Sequence, residues 1–199
     1  MSNVEDQKMR RKDREMSEDF GLKVIDEAPF GTVSIIDPTK NVPYAIPLSI
    51  ARSDKHLYFH TAKEGRKHEL FADGVTVRIV FVGHGNVPDH FSDDFLDDEV
   101  AAGRAGTLLS KVFTTEYRSA IVVGTVRRVD SETEPDIVRD ALYLISKKYT
   151  PDKMAYFDLA FQSGAKLTDI YEVTIDSITA KRKQFDSSGD EMKWQRTTE

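Results

Sequence analysis

Residues 57–70 read Leu57-Tyr58-Phe59-His60-Thr61-Ala62-Lys63-Glu64-Gly65-Arg66-Lys67-His68-Glu69-Leu70. The first half alternates: Leu57, Phe59 and Thr61 fall on one face of an extended chain, Tyr58 and His60 on the other. Lys63-Glu64-Gly65 is a polar bend, and a helical run with two adjacent cations follows. The stretch is predicted as strand, turn and helix start. A helix N-terminus offers unpaired N–H groups and the positive end of its dipole, and Arg66 and Lys67 add formal charge there. A phosphate-bearing ligand suits that combination, with Gly65 permitting close backbone approach. The alternative is a pair of solvated surface cations.

Outward from this stretch the period of two continues. Thr32–Asp37 reads as a strand, Asp37 to Asn41 as a turn, and Val42, Tyr44, Ile46, Leu48 and Ile50 as the bulky face of the next strand. Pro43 and Pro47 lack ladder donors, which places that strand at an edge or a bulge. Further strands are predicted over Val75–Val82, Tyr117–Val129 and Leu167–Thr179, with Gly124 marking a bend or bulge. Short turns between successive early strands require antiparallel pairing, hence a barrel or sandwich rather than a doubly wound sheet.

Helical signals lie around this β framework. Ser17 is placed to cap a helix to Ala28 with Phe20, Val24 and Ala28 on one face. Residues 84–112 form an acidic excursion with a helix from Ser92-Asp93 to Ala102. Thr133 and Pro135 open a helix striped by Ile137, Ala141, Leu144 and Ile145, and a second helix runs from Thr150-Pro151-Asp152 to Gly164. Residues 1–16 form a mobile polar arm, 17–180 one domain, and 181–199 a polar tail in which Trp194 either docks on the body or covers a planar ligand.

Composition narrows the function. The 199 residues carry a formal net charge of -6 and a pI near 5.4, against the basic face that a nucleic acid requires. The absence of cysteine removes disulfide scaffolds, thiolate metal sites and cysteine nucleophiles, and fits a reducing compartment. No apolar run approaches a membrane span or a signal peptide, so a cytoplasmic protein is expected. His56, His60 and His68 cross from strand to helix, so no metal site is expected of them, and His84 and His90 read as loop histidines. His60 ends its strand beside the bend, where it is either a histidine satisfied by a backbone partner or a catalytic group. Tyr117, Arg118 and Ser119 open a later strand with three hydrogen-bonding groups, Arg118 being able to grip a phosphate or to form a surface ion pair.

The series Gly31-Thr32-Val33, Pro43 to Leu48, Leu57 to Ala62, Gly65-Arg66-Lys67 and Glu116 to Gly124 resembles the pyridoxamine 5′-phosphate oxidase-like flavin-binding split barrels. Within them the chain is similar to the nitroimidazole-resistance type, as is Met9 to Glu15. The resemblance implies a mainly β, six-stranded antiparallel split barrel with peripheral helices, forming a homodimer with two flavins between the subunits. It implies that Phe59, His60, Thr61 and Ala62 line the flavin ring, that Gly65, Arg66 and Lys67 hold its phosphate, and that Tyr117, Arg118 and Ser119 complete the cleft. His60 matches a functional histidine of the family. The cofactor expected is FMN, with FAD as the variant, and the reaction is electron transfer from NADH or NADPH to a small molecule such as a nitro compound. A flavin-binding protein without turnover is the competing expectation. The C-terminal substrate-binding pattern of true pyridoxamine phosphate oxidases is not matched, and the excursion at 84–112 is longer than a barrel hairpin needs.

Overall fold

The structure is a computed structural model that describes residues 9–187 and 189–193. The strands are β1 (Glu15–Met16), β2 (Gly31–Asp37), β3 (Val42–Leu48), β4 (Ala51–Ser53), β5 (His56–Ala62), β6 (Val75–Asn86), β7 (Glu116–Arg128) and β8 (Thr168–Lys183). They pair antiparallel in the order β3-β2-β6-β7-β8-β5-β4, with β1 added to β8. The helices are α1 (Glu18–Glu27), α2 (Arg66–Leu70), α3 (Asp93–Ala101), α4 (Ala105–Val112), α5 (Pro135–Tyr149) and α6 (Phe157–Gly164).

The sheet is a barrel that stays open, and the chain itself explains why. β3 and β4 are the two ends of the strand order, yet only Ser49 and Ile50 separate them in sequence. Two residues span about 7 Å, so the sheet must curl until its edges meet at that corner. No ladder joins those edges; side chains of α5 satisfy the seam instead. The amide of Ile50 donates to Tyr149 Oη at 2.9 Å, and its carbonyl accepts from Lys148 Nζ and Tyr149 Oη at 2.9 and 3.0 Å. Lys148 Nζ also donates to the carbonyl of Ile25 at 2.9 Å, tying α1 to the same seam. Burial lowers the Lys148 pKa from its ordinary value.

The eight strands differ from the six expected. β2, β3, β5, β6, β7 and β8 are each seven residues or longer, whereas β1 and β4 have two and three. Such short pieces carry no readable alternation, and only pairing with β8 and β5 defines them. The prolines of β3 are accommodated because β3 is an edge. At Gly124 the ladder shifts register, and a Cβ there would lie 2.5 Å from the carbonyl oxygen of Thr174. Glycine is required at this bulge by close approach to backbone.

Inside the barrel, Val33, Leu57, Phe59, Val77, Ile79, Phe81, Val122, Tyr171 and Val173 form the main core. Phe59 stacks on Tyr171 at 5.3 Å between centroids and meets Phe71 edge-on at 5.4 Å. Burying each such side chain contributes about 1.5–3 kcal/mol. α1 covers one end of the barrel. Ser17 caps it by accepting from Phe20 N at 3.2 Å, and Val24, Ile25 and Ala28 are buried.

Several elements depart from the expected bounds. β6 and β8 run past Val82 and Thr179 to Asn86 and Lys183, where longer pairing with β7 supports them. Thr133 does not cap α5: Glu134 precedes Pro135, and its carboxylate takes the amide of Asp130 at 3.2 Å and Arg127 at 2.8 Å. The excursion holds a second helix, α4, as well as α3, whose cap Ser92 accepts from Phe95 N at 3.3 Å. His84 lies in β6, 3.9 Å from Glu116, rather than in a loop. Trp194 lies outside the described residues.

Candidate functional site

β5 alternates as its sequence requires: Leu57, Phe59 and Thr61 are buried in the barrel, while Tyr58, His60 and Ala62 face outward. Of the four strand residues expected to line a ring, only His60 and Ala62 therefore present side chains to the outside. The outer face of β5 is covered by α5, through a second, smaller core of Val129, Val138, Ala141 and Ile170 with Tyr58, Leu142 and Phe161. The apolar stripe of α5 exists because this face of the sheet needs a cover.

That cover is incomplete at His60. The imidazole sits at a cavity of about 140 Å³ lined by Leu142 and Ser146 of α5, by Phe157, Ala160 and Phe161 of α6, and by Ala165 and Thr168. The guanidinium of Arg139 lies 5.4 Å from the centroids of both Phe157 and Phe161, which fixes this aromatic wall. A second cavity, about 450 Å³, lies across the same wall: it shares Phe161 and Ala165 and adds Lys63, Lys166, Glu132 and Val138. An apolar compartment with one imidazole thus adjoins a larger, mostly apolar one edged by two ammonium groups and the carboxylate of Glu132.

His60 retains an exposed edge, but its apolar surround lowers the imidazole pKa from the ordinary value, and the nearby charge of Lys67 lowers it further. A neutral imidazole carries one N–H donor and one acceptor. Behind it on the same face, Tyr58 Oη donates to Glu172 at 2.8 Å, and Glu172 also receives Arg127 at 2.7 Å. Tyr58 is therefore committed to a structural network.

At the bend, Gly65 has φ of 94°, a conformation that favours glycine, and an added Cβ would meet nothing within 4 Å. Arg66 is not a free cation. Its guanidinium donates to the carboxylate of Asp37, to Thr39 Oγ1 at 2.9 Å and to Glu69 at 2.5 Å. Lys67 is half-buried and close enough to influence His60. At the next residue, His68 Nδ1 is 2.7 Å from Asp169 Oδ2, and Arg128 lies 3.3 Å from the other ring nitrogen.

Tyr117, Arg118 and Ser119 stand elsewhere. His60 pairs with Ile170 of β8, whereas Ser119 pairs with Lys181. Roughly eleven residues of strand, on the order of 35 Å when extended, separate those partners. At that far end Lys181 Nζ lies 5.5 Å over the ring of Tyr117, and Arg118 pairs with Glu27 of α1 at 3.1 Å. One chain thus brings His60, Ala62, Gly65 and Lys67 together and leaves Tyr117, Arg118 and Ser119 at the opposite end of β8.

Lys63, Lys166, Leu142, Phe157 and Phe161 were not singled out in the sequence as site residues. Lys63 adjoins the bend, but Lys166 reaches it only because Ala62 pairs with Thr168. Among the described residues no group of three or more His, Asp or Glu is placed to hold a metal, and no helix is long and apolar enough to cross a membrane.

An open, antiparallel barrel with outer helices and a cavity at the end of β5 is a split-barrel architecture. Residues 18–92 match the family described as Pyridoxamine 5'-phosphate oxidase, a stretch that holds the likeness read from Gly31 to Lys67. The Glu116–Gly124 motif lies outside it. No curated protein matches the sequence. Among solved structures, the chain is similar to a candidate 5-nitroimidazole antibiotic resistance protein from Bacteroides thetaiotaomicron, at 22% identity and TM-score 0.58, covering 84% of this chain and 86% of that one. It is also similar to a FAD and heme binding protein from Mycobacterium smegmatis, at 18% identity and TM-score 0.62, covering 85% and 73%. A flavocytochrome from Azotobacter vinelandii aligns at 14% identity and TM-score 0.56, covering 84% and 68%. At these identities the likeness is one of fold.

Proposed function

We propose that this protein binds a flavin and works as an oxidoreductase, as a two-fold dimer in which each cleft draws on both chains. The matched family and the flavin-binding proteins among the similar structures support a flavin as ligand. The observation that carries the reading is the pairing of compartments at β5: an apolar cavity bounded by His60, joined through Phe161 and Ala165 to one bearing Lys63 and Lys166. An apolar wall suits a planar ring, and cations beside a glycine bend suit its phosphate, so this donor set fits the group.

Lys63, Lys67 and Lys166 would hold the phosphate, with Gly65 leaving the backbone open; Arg66 would act by fixing the bend through Asp37. The flavin, when bound, supplies the ring that accepts and passes on a hydride. His60 would orient a small acceptor through its N–H and deliver a proton to it, a contribution of roughly a hundred- to ten-thousand-fold. Phe157, Phe161 and Leu142 would exclude water from that transfer. NADH or NADPH would be the electron donor, a nitro compound an acceptor and FMN the flavin. The distance between His60 and Tyr117-Arg118-Ser119 along β8 supports a cleft completed by a second copy.

The test is spectroscopic. The purified protein, loaded with FMN or FAD, should bleach with NADH or NADPH under anaerobic conditions and recover its yellow colour on addition of a nitroaromatic. Stoichiometric flavin binding with no bleaching by either donor would leave a flavin-binding module without turnover. Failure to bind either flavin would remove the proposal altogether.

A further inference from the structure

Two basic runs stand at opposite ends of the sequence, Arg10-Arg11-Lys12-Asp13-Arg14 and Lys181-Arg182-Lys183. The short strand β1 brings them together, because Glu15 pairs with Lys181 and Met16 with Ala180. Beyond β8 the chain turns back on itself, Phe185 bridging to Glu191. Arg14 grips Glu191 through both its Nε and Nη2, at 2.5 and 3.0 Å, and Lys111 of α4 reaches Asp190 at 3.1 Å. These contacts border an open cleft of about 510 Å³ lined by Arg14, Lys111, Lys183, Phe185, Glu191 and Lys193, with Asp190 at its edge. It lies at the end of β8 opposite to His60.

The charge there runs against that of the whole chain, which is net acidic. Four cations face two carboxylates, and each carboxylate is engaged, Glu191 by Arg14 and Asp190 by Lys111. Lys183 donates to the neutral hydroxyl of Thr114, and Lys193 lies 4.0 Å from Asp13, beyond hydrogen-bond range. Two ammonium groups therefore border the cavity without a hydrogen-bonded carboxylate among the described residues. Phe185 supplies a half-buried ring at the same wall, with His90 edge-on at 5.9 Å. A volume near 500 Å³ falls in the range of small-molecule sites.

We propose that this cavity binds a nucleotide through its phosphate monoester, with Lys183 and Lys193 taking the phosphate and the base lying against Phe185. Charge-assisted hydrogen bonds to phosphate are strong ones, and an aromatic ring accepts any base by its face. The ligand is a nucleoside phosphate monoester, either a free 5′-mononucleotide or the 2′-phosphate end of a phosphorylated nicotinamide donor, and the adenylates serve as its probes. In the proposed dimer this end of β8, where Lys183 pairs with Tyr117, also borders the partner's cleft, so nucleotide binding is measured on flavin-free protein to keep it separate from flavin binding.

Isothermal titration calorimetry of the flavin-free full chain with 5′-AMP, 2′-AMP, adenosine and inorganic phosphate tests it. Either AMP should bind at least tenfold more tightly than adenosine or phosphate, and the tighter isomer identifies the source. The double variant Lys183→Gln, Lys193→Gln should lose at least tenfold in AMP affinity, while the distant surface change Lys153→Gln alters nothing. Phe185→Leu should bring AMP down towards the affinity of phosphate alone. Should the double variant fail to fold, Lys193→Gln alone, on a side chain that is 54% exposed, should still weaken binding. The proposal is overturned if neither AMP gives heat at millimolar concentration, if inorganic phosphate binds as tightly as AMP, or if removing the ammonium groups leaves affinity unchanged.

Discussion

Arg66 donates to the carboxylate of Asp37, whose side chain is only 4% exposed, and so joins the bend after β5 to the turn between β2 and β3. Asp37 also accepts the amides of Thr39 and Lys40, at 2.9 and 3.2 Å, so one carboxylate organises two loops. The guanidinium and these hydrogen bonds hold the Asp37 pKa far below the usual carboxylate range.

The first prediction follows from that sign. A carboxylate with a depressed folded pKa stabilises the fold fully above its unfolded value of about 3.9, and the benefit fades as pH falls towards the folded value. Wild-type melting temperature should therefore decline below about pH 4, and Asp37→Asn should melt lower at neutral pH with a shallower acid decline. Arg66→Ala should likewise melt a few degrees lower at pH 7, whether or not a ligand is present. An Arg66→Ala protein with unchanged melting temperature would show the pair to be incidental.

His60 adds a second loss of stability towards acid. Its folded pKa lies below the unfolded value of about 6.5, so the unfolded chain binds the proton more readily, and stability should fall as pH drops below that value. His60→Gln should flatten this dependence while keeping fold and flavin, and should slow turnover roughly a hundredfold or more. Melting curves from pH 5 to 8, with single-turnover rates on the same samples, separate the two effects; an unaltered rate would remove His60 from the chemistry.

The proposed dimeric cleft makes a prediction for mixed chains. His60→Ala and Arg118→Ala should each be inactive alone. After denaturation and refolding together, half the dimers would be mixed, each with one intact and one doubly altered cleft. About a quarter of wild-type activity should return. No recovery from two inactive variants would place both residues in the same chain's cleft, and an active Arg118→Ala protein would leave Arg118 outside it.

Gly124→Ala probes the barrel itself. Its methyl group would come within 2.5 Å of the Thr174 carbonyl oxygen and 2.6 Å of Val173 Cγ1, so backbone must move. Overpacking of this kind costs about 1–3 kcal/mol. Chemical denaturation should show a lower midpoint; an unchanged one would mean that β8 yields freely at the bulge.

What the sequence determined by itself is local. Alternation in 57–62 puts Phe59 and His60 on opposite faces because successive side chains of a strand must oppose, and two prolines confine β3 to an edge or a bulge because they cannot donate. Ser17 and Ser92 announce helix starts through a hydroxyl within reach of an amide. Tertiary structure decided whatever depends on partners distant in sequence. Arg66 and Lys67 are adjacent and look equivalent, but only the packing of the β2–β3 turn against the bend gives Arg66 to Asp37 and leaves Lys67 beside His60. The register of β5 on β8 sets Lys166 near Lys63 and carries Tyr117 to the far end of the same strand. Charge along a chain says which groups need partners; the fold, by bringing distant segments within a few ångströms, says which of them already have one.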